Sequence, residues 1–171
     1  MIAPEFLSGI HAQFRRQMNA DVSASLRAHG VCYKVAFGVP SMRLRDIAAL
    51  YQPSAELAET LWKEDIRESK MLATRLWPLA AFSRETALQW AAEAPYDEIT
   101  DQLVMNLLAR VPYAGELLLP LMEEGSRRSI YTALKLATRL ESPVLREAAE
   151  IILNDPSRDI ALRTAASICL S

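Results

Sequence analysis

A short recurring phrase strongly limits the folds that this chain can adopt. In residues 44–50 it consists of an apolar residue, an arginine and a helix-forming run with small residues on one face. Altered copies follow in residues 66–73, 145–152 and 162–169. One copy per helix gives two helices in about 40 residues, which is the period of HEAT-type helical repeats. We therefore predict an all-α, HEAT-like helical-repeat solenoid.

Helical periodicity fills most of the sequence, and prolines or Ser and Asp caps separate its segments. Residues 31–39 form the one β-like run, but Lys34 and Gly38 interrupt it, so we predict a connector there. Pro120 predicts a kink or break in one helix. No Pro-rich or charged linker divides the sequence, which indicates a single domain over residues 1–171. The predicted helices cover residues 4–18, 21–28 (capped by Asp21), 41–51 (capped by Ser41), 54–62 (begun by Ser54), 66–77, 84–94 (capped by Ser83), 97–111, 116–124, 128–140 (begun by Gly125 and Ser126) and 143–153, with a last helix beginning near 155–157.

Charge, hydropathy and cysteine usage exclude several classes of protein. The net charge is −2, whereas a nucleic-acid-binding domain usually carries a basic excess, so any basic face must be local. The apolar stretches are far shorter than the ~20 residues that cross a bilayer, and no signal-peptide pattern is visible. Cys32 and Cys169 are far apart, as expected of reduced thiols in a cytoplasmic protein. His11 and His29 lack ligands at metal-binding spacing, so no metal site is predicted.

Three segments together carry a resemblance to a known family. Residues 33–45 contain a Tyr-Lys, Gly-Val and Pro connector that leads into an Arg-containing helix. Residues 59–73 contain a Leu-Trp pair followed by an Arg-Glu pair, and residues 96–103 place an aromatic residue and two aspartates at the start of a helix. This series resembles the DNA alkylation repair family of HEAT-like proteins, the AlkD-like DNA glycosylases. The resemblance is strongest over residues 33–105.

The resemblance implies an activity and an acidic residue that performs it. Members of the family excise positively charged alkylated purines from duplex DNA without a metal or organic cofactor. An acidic side chain stabilises the positive charge that develops on the sugar. By resemblance this catalytic acid falls on Asp101. Asp97 lies four residues earlier, so the two carboxylates share one helical face.

The resemblance also implies groups that hold the DNA backbone, and here the sequence departs from the family pattern. The aromatic residue of the motif falls on Asp97, or on Tyr96 with a shift of one residue. The phosphate-binding arginine falls near Ala133, and a second tryptophan falls on Ile168. The basic residues close to the arginine position are candidates for DNA contacts: Arg127, Arg128 and Lys135, with Arg43 and Arg45 earlier in the chain.

Each of these residues also has a structural interpretation. Asp97, Glu98 and Asp101 suit the first turns of a helix, where acids offset the macrodipole. The recurring arginines can bond to the carbonyl end or to the acids of a neighbouring helix, or they can form a ladder that holds phosphates. The three tryptophans suit helix packing: Trp62, Trp77 and Trp90.

Two functions therefore remain open. The first is a DNA alkylation repair protein that binds duplex DNA and excises alkylated purines. The second is a non-catalytic HEAT-repeat scaffold that binds a protein partner. The last helix presents an apolar face, so we also expect it to pack back on the chain or to mediate a homodimer.

Overall fold

The structure is a computed structural model that describes residues 2–171, and within them it is all-helical, without a strand. A single isolated bridge joins Val35 to Ile66. Short 3-10 helices cover Leu79–Ala81, Leu108–Arg110, Ala114–Leu117 and Pro143–Leu145. The α-helices are α1 (Pro4–Arg16), α2 (Ala20–Ala28), α3 (Ser41–Ala48), α4 (Ala55–Lys63), α5 (Arg67–Leu76), α6 (Arg84–Glu93), α7 (Asp97–Asn106), α8 (Leu118–Glu124), α9 (Arg127–Arg139), α10 (Arg146–Asn154) and α11 (Ile160–Leu170).

The helices form two compact units, Met1–Ala81 and Phe82–Ser171. In the first unit α5 packs against α3 and α4, and Phe14, Leu61 and Leu72 are fully buried in its core. In the second unit α9 is central, because α6, α7, α8 and α11 all pack against it. Trp62 and Trp90 are buried, which confirms that these two tryptophans serve packing. No helix within residues 2–171 is long and apolar enough to span a membrane.

Serine side chains begin several helices as predicted. Ser54, Ser83 and Ser126 each accept a hydrogen bond from a backbone N–H in the first turn of α4, α6 and α9, which satisfies a donor that the helix itself cannot. The predicted cap of α2 was wrong, because Asn19 rather than Asp21 accepts the bonds there.

Three predicted boundaries also differ from the observed ones. The N-cap of α3 is Pro40, so Ser41 is its first residue and not its cap. The helix predicted over 97–111 ends at Asn106, because Leu107 leaves the helical conformation at φ −127° and ψ −65°. Pro120 does not kink a helix, since α8 begins at Leu118. The proline therefore lies in the first turn, where its missing N–H has no partner to lose.

Residues 31–39 form the predicted connector, and a buried carboxylate fixes its end. Glu68 is fully buried and accepts hydrogen bonds from the backbone N–H groups of Phe37, Gly38 and Val39 at 3.0, 2.9 and 3.1 Å. The buried guanidinium of Arg67 donates to Glu68 at 2.9 Å and to the Val39 carbonyl at 3.1 Å. The connector is thus attached to the start of α5.

The structural interpretation of the recurring arginines is confirmed for Arg163, which donates to the carbonyl of Leu153 near the end of α10, at 3.1 Å. Arg67 is also a structural link, but the partners described above, Glu68 and Val39, lie in its own helix and in the connector rather than on a neighbouring helix. Arg45 and Arg146 are exposed. On the last two helices Ile151 and Ile160 are exposed at 65% and 81%. Homodimerisation through this face stays a prediction.

Candidate active site

Helices α7 and α9 bring the predicted acid and a predicted cation together. Asp101 lies one turn after Asp97 on α7, and Lys135 lies one turn after Tyr131 on α9. The Nζ atom of Lys135 is 3.2 Å from Oδ1 of Asp101, and the hydroxyl of Tyr131 donates to the same oxygen at 3.3 Å. Asp101 therefore has two partners on the neighbouring helix and does not serve only as an acid in the first turn of α7.

Arg127, at the start of α9, joins α7 to the start of α11. Its guanidinium donates to both carboxylate oxygens of Asp97, at 2.8 Å for Oδ2. It also donates to Asp159 at 3.0 and 3.1 Å. These bonds lower the pKa of Asp159 and raise the pKa of Arg127 above its usual range. In this structure the Nε and both Nη atoms of Arg127 are used by carboxylates.

Tyr131 lies between two cations of α9, Arg127 and Lys135. The Arg127 guanidinium carbon is 5.1 Å from the centroid of its ring, and the Lys135 Nζ is 5.8 Å from it. Burial, followed by the charges of Asp101 and Asp97, raises the pKa of the Tyr131 hydroxyl. The hydroxyl is therefore protonated at neutral pH and acts as a hydrogen-bond donor to Asp101.

A groove of about 430 Å³ opens beside the Asp101–Lys135 pair. Val104 and Met105 supply apolar lining, and Arg139 adds a second cation. The other lining residues are Thr138 and Glu141. The side chains of Asp101 and Lys135 are 41% and 33% exposed, so both can be reached from solvent. The groove thus combines a reachable carboxylate with a reachable amine and an apolar surface.

The other predicted contact residues are placed less directly. Tyr96 is the residue before α7 and is half-buried, and Arg128 is exposed and donates to the carbonyl of Pro95 at 3.3 Å. Ala133 is fully buried in the core, so the position where the family has its arginine does not face the groove. Ile168 is 48% exposed on α11.

Sequence reasoning missed Tyr131 and Arg139 as site residues. A signal for Tyr131 was present, because Arg127, Tyr131 and Lys135 recur at intervals of four and lie on one helical face. That spacing matches the interval between Asp97 and Asp101. Arg139 lies four residues after Lys135 and continues the same series, so the same signal was present for it.

His11 has a carboxylate partner in the first unit. Nε2 of His11 lies 3.0 Å from Oε2 of Glu64, a contact that the sequence spacing did not reveal. Within residues 2–171, no group of three or more His, Cys, Asp or Glu side chains is arranged to hold a metal ion.

The helical fold alone does not identify a class of protein, but a comparison with protein families does. The family model described as DNA alkylation repair enzyme matches residues 10–126, and the chain belongs to this family. In the other two comparisons, no curated protein and no solved structure matches the chain. The matched region includes Asp97 and Asp101, and it ends one residue before α9 begins at Arg127.

Proposed function

We propose that this member of a DNA repair family binds duplex DNA and excises alkylated purines, with Asp101 as the catalytic acid. The observation that carries the proposal is the position of Asp101. Its carboxylate is fixed by Tyr131 and Lys135 at the edge of a groove that solvent can enter. The family match, which includes Asp101, independently supports a role in DNA repair.

The chemistry requires a negative charge near the sugar. Alkylation at N3 or N7 makes a purine a cation, and the base leaves as a neutral molecule when its bond to C1′ breaks. The positive charge then moves to the sugar, where a carboxylate stabilises it in the transition state more than in the ground state. Water then adds to C1′ and gives an abasic sugar. No metal or organic cofactor is needed for this sequence of steps.

The size of the effect can be estimated from the exposure of Asp101. Two unit charges about 4 Å apart attract by about 4 kcal/mol at an effective dielectric constant of about 20, which is about a thousandfold in rate. The Asp101 side chain is 41% exposed, and Lys135 offsets part of its charge. Solvent screening therefore reduces the expected contribution to about 10- to 100-fold.

Contacts to the DNA backbone are proposed for Arg128 and Lys135, with Tyr96 and Asp97 near the same strand. Arg127 is also proposed to contact the backbone, with a phosphate taking the place of Asp159 as the partner of its guanidinium. The second unit has nine basic and thirteen acidic side chains, whereas the first has ten basic and eight acidic. Because few cations are available, we expect weak binding with a salt slope of only about −2 to −3. Arg43 and Arg45 of the first unit are further candidates.

We also propose that the helices stack as HEAT-like repeats. In the second unit α8 packs on α9 and α10 on α11, while α9 also packs on α7 and α11. In the first unit α5 packs on α4 and on α3. Helices thus contact both the helix that follows them and the one after that. These contacts support a stack of repeats, because stacked repeats bury a continuous core.

A base-release assay on methylated duplex DNA tests the proposed activity. We expect release of 3-methyl- or 7-methylpurine by the wild type, and release about 10- to 100-fold slower by Asp101→Asn, which keeps an acceptor for the Tyr131 hydroxyl. Asp155→Asn is the matched control. Asp155 bonds only locally, to Ser157 and Arg158, so its change should leave the rate unaltered.

Binding to the same duplex, followed by fluorescence anisotropy at several salt concentrations, separates binding from excision. Equal release by the wild type and Asp101→Asn would refute the role of the carboxylate. Absence of both release and salt-dependent binding would refute the repair function and leave the protein-binding scaffold.

A further inference from the structure

We propose that Lys135 gives this site a second activity, cleavage of the DNA strand at abasic sugars through a covalent imine. The inference rests on the proposed function, because base excision at Asp101 would leave an abasic sugar in the same place. The chemical class of substrate is a deoxyribose that has lost its base and opened to an aldehyde at C1′. Neither the family match nor the role proposed for Asp101 includes this reaction.

The geometry places an amine beside the reacting carbon. Asp101 stabilises charge at C1′, and the Nζ atom of Lys135 is 3.2 Å from the carboxylate that does so. Both side chains line the same groove, and the Lys135 side chain is 33% exposed. A group that contacts the carboxylate from within the groove lies close to the carbon on which the carboxylate acts.

The sequence makes Lys135 distinctive. The chain has four lysines, and the other three, Lys34, Lys63 and Lys70, all belong to the first unit. In the second unit the remaining basic side chains are arginines, and a guanidinium stays protonated and is a poor nucleophile. Lys135 is therefore the only side-chain primary amine that the second unit can offer to an aldehyde.

Asp101 can supply the proton transfers that imine formation needs. The Lys135 ammonium gives a proton to Asp101, and the neutral amine attacks the C1′ aldehyde and forms an N–C bond. The proton returns from Asp101 to the new hydroxyl, which leaves as water and yields a protonated imine. Overall one ammonium ion and one aldehyde give one iminium ion and one water, without an oxidant or reductant.

Strand cleavage follows from the iminium ion by elimination. Asp101 takes a proton from C2′, the C2′–H electron pair forms a C2′–C3′ double bond, and the C3′–O bond breaks. The 3′ phosphate leaves as a 5′-phosphorylated strand end. Water then adds to the iminium carbon, the N–C bond breaks, and the ammonium of Lys135 is restored. The C2′ proton passes from Asp101 to solvent, and an unsaturated aldehyde remains at the 3′ end of the other fragment of the cleaved strand.

Reductive trapping on DNA that already contains an abasic site tests this inference separately from excision. With borohydride, the imine becomes a stable amine, so the wild type should form a protein–DNA adduct that peptide mass spectrometry locates at Lys135. Lys135→Arg keeps the positive charge beside Asp101 but removes the nucleophile, and it should lower adduct yield and strand cleavage at least about tenfold. Lys63→Arg is the matched control, since Lys63 also pairs with a carboxylate, Glu59, at 3.0 Å.

The outcomes distinguish the two proposals. Binding of the abasic duplex without an adduct, or an adduct on the N-terminal amine or on another lysine, would overturn the inference and leave base excision intact. An adduct at Lys135 together with no release of methylated bases would support the inference while refuting the proposed excision. Equal trapping by the wild type and a folded Lys135→Arg protein would also overturn it.

Discussion

The buried carboxylate of Glu68 allows a quantitative prediction about the first unit. Glu68 has no exposed surface and accepts four hydrogen bonds, three from backbone N–H groups of residues 37–39 and one from Arg67. In Glu68→Gln the shape is kept but one oxygen becomes an NH₂ group. With the NH₂ group in the place of Oε2, it faces the N–H of Phe37, and both groups are donors. The buried guanidinium of Arg67 also loses the negative charge of Glu68.

The cost can be built from these contacts. Loss of one hydrogen bond to a charged acceptor costs about 1.5–3 kcal/mol, and the remaining bonds weaken because the acceptor becomes neutral. Removal of one partner of a buried ion pair costs about 3–5 kcal/mol, because the other charge stays buried without compensation. The two estimates describe the same loss, so we expect Glu68→Gln to lower the free energy of unfolding by about 3–5 kcal/mol.

Urea unfolding followed by circular dichroism measures this change, with the slope of the unfolding curve fitted independently for each protein. Glu59→Gln is the control, because Glu59 pairs with Lys63 at 3.0 Å on the surface with its side chain 54% exposed. An exposed pair of this kind contributes less than about 1 kcal/mol. A loss below about 1 kcal/mol for Glu68→Gln would refute the reasoning that this carboxylate anchors the connector.

Two further predictions concern the backbone and the pH dependence of stability. At Gly38, φ is +75° and a Cβ atom would lie 2.2 Å from the Asn19 carbonyl oxygen, so Gly38→Ala should cost more than about 2 kcal/mol in urea unfolding. Gly9→Ala, where nothing lies within 4 Å on α1, should instead be neutral or stabilising, and equal effects would contradict the argument. The bonds from Arg127 lower the pKa of Asp159, so its contribution is present above the ordinary aspartate pKa of about 4 and is lost as pH falls below it. The gap in unfolding free energy between wild type and Asp159→Asn, which keeps the cap, should be under about 1 kcal/mol at pH 7 and should narrow as the pH falls below about 4. A gap independent of pH would contradict this.

Local signals determined which parts of the fold could be predicted. Ser54, Ser83 and Ser126 were predicted at helix starts because a cap needs only its own side chain and the next turn. The cap of α2 was missed because a distant contact decides it. The N–H of Asn19 donates to the carbonyl of Phe37 at 2.9 Å, which fixes Asn19 at the start of the helix. Asn and Asp are both favoured at an N-cap, so the local sequence alone does not choose between Asn19 and Asp21.

The same distinction applies to the candidate site. The spacing of Asp97 and Asp101 predicted two carboxylates on one face of α7, and this needs only the helical period. Their pairing with Arg127 and Lys135 joins residues about thirty positions apart, so it depends on the packing of α7 against α9. Helical periodicity specifies which face of a helix is polar, but not which other helix that face meets.

The division between α7 and α9 bears on the proposed chemistry. The family match contains the acid of α7 and stops at residue 126, so the partners of that acid come from a helix beyond the matched region. In the proposed excision of a cationic base, Asp101 of α7 supplies the negative charge near C1′. The phenol and the amine beside that charge belong to Tyr131 and Lys135 of α9, outside the matched region. Loss of the Asp101 carboxylate is therefore expected to impair the proposed excision, whereas loss of the Lys135 amine with its charge kept is expected to impair only the proposed strand cleavage.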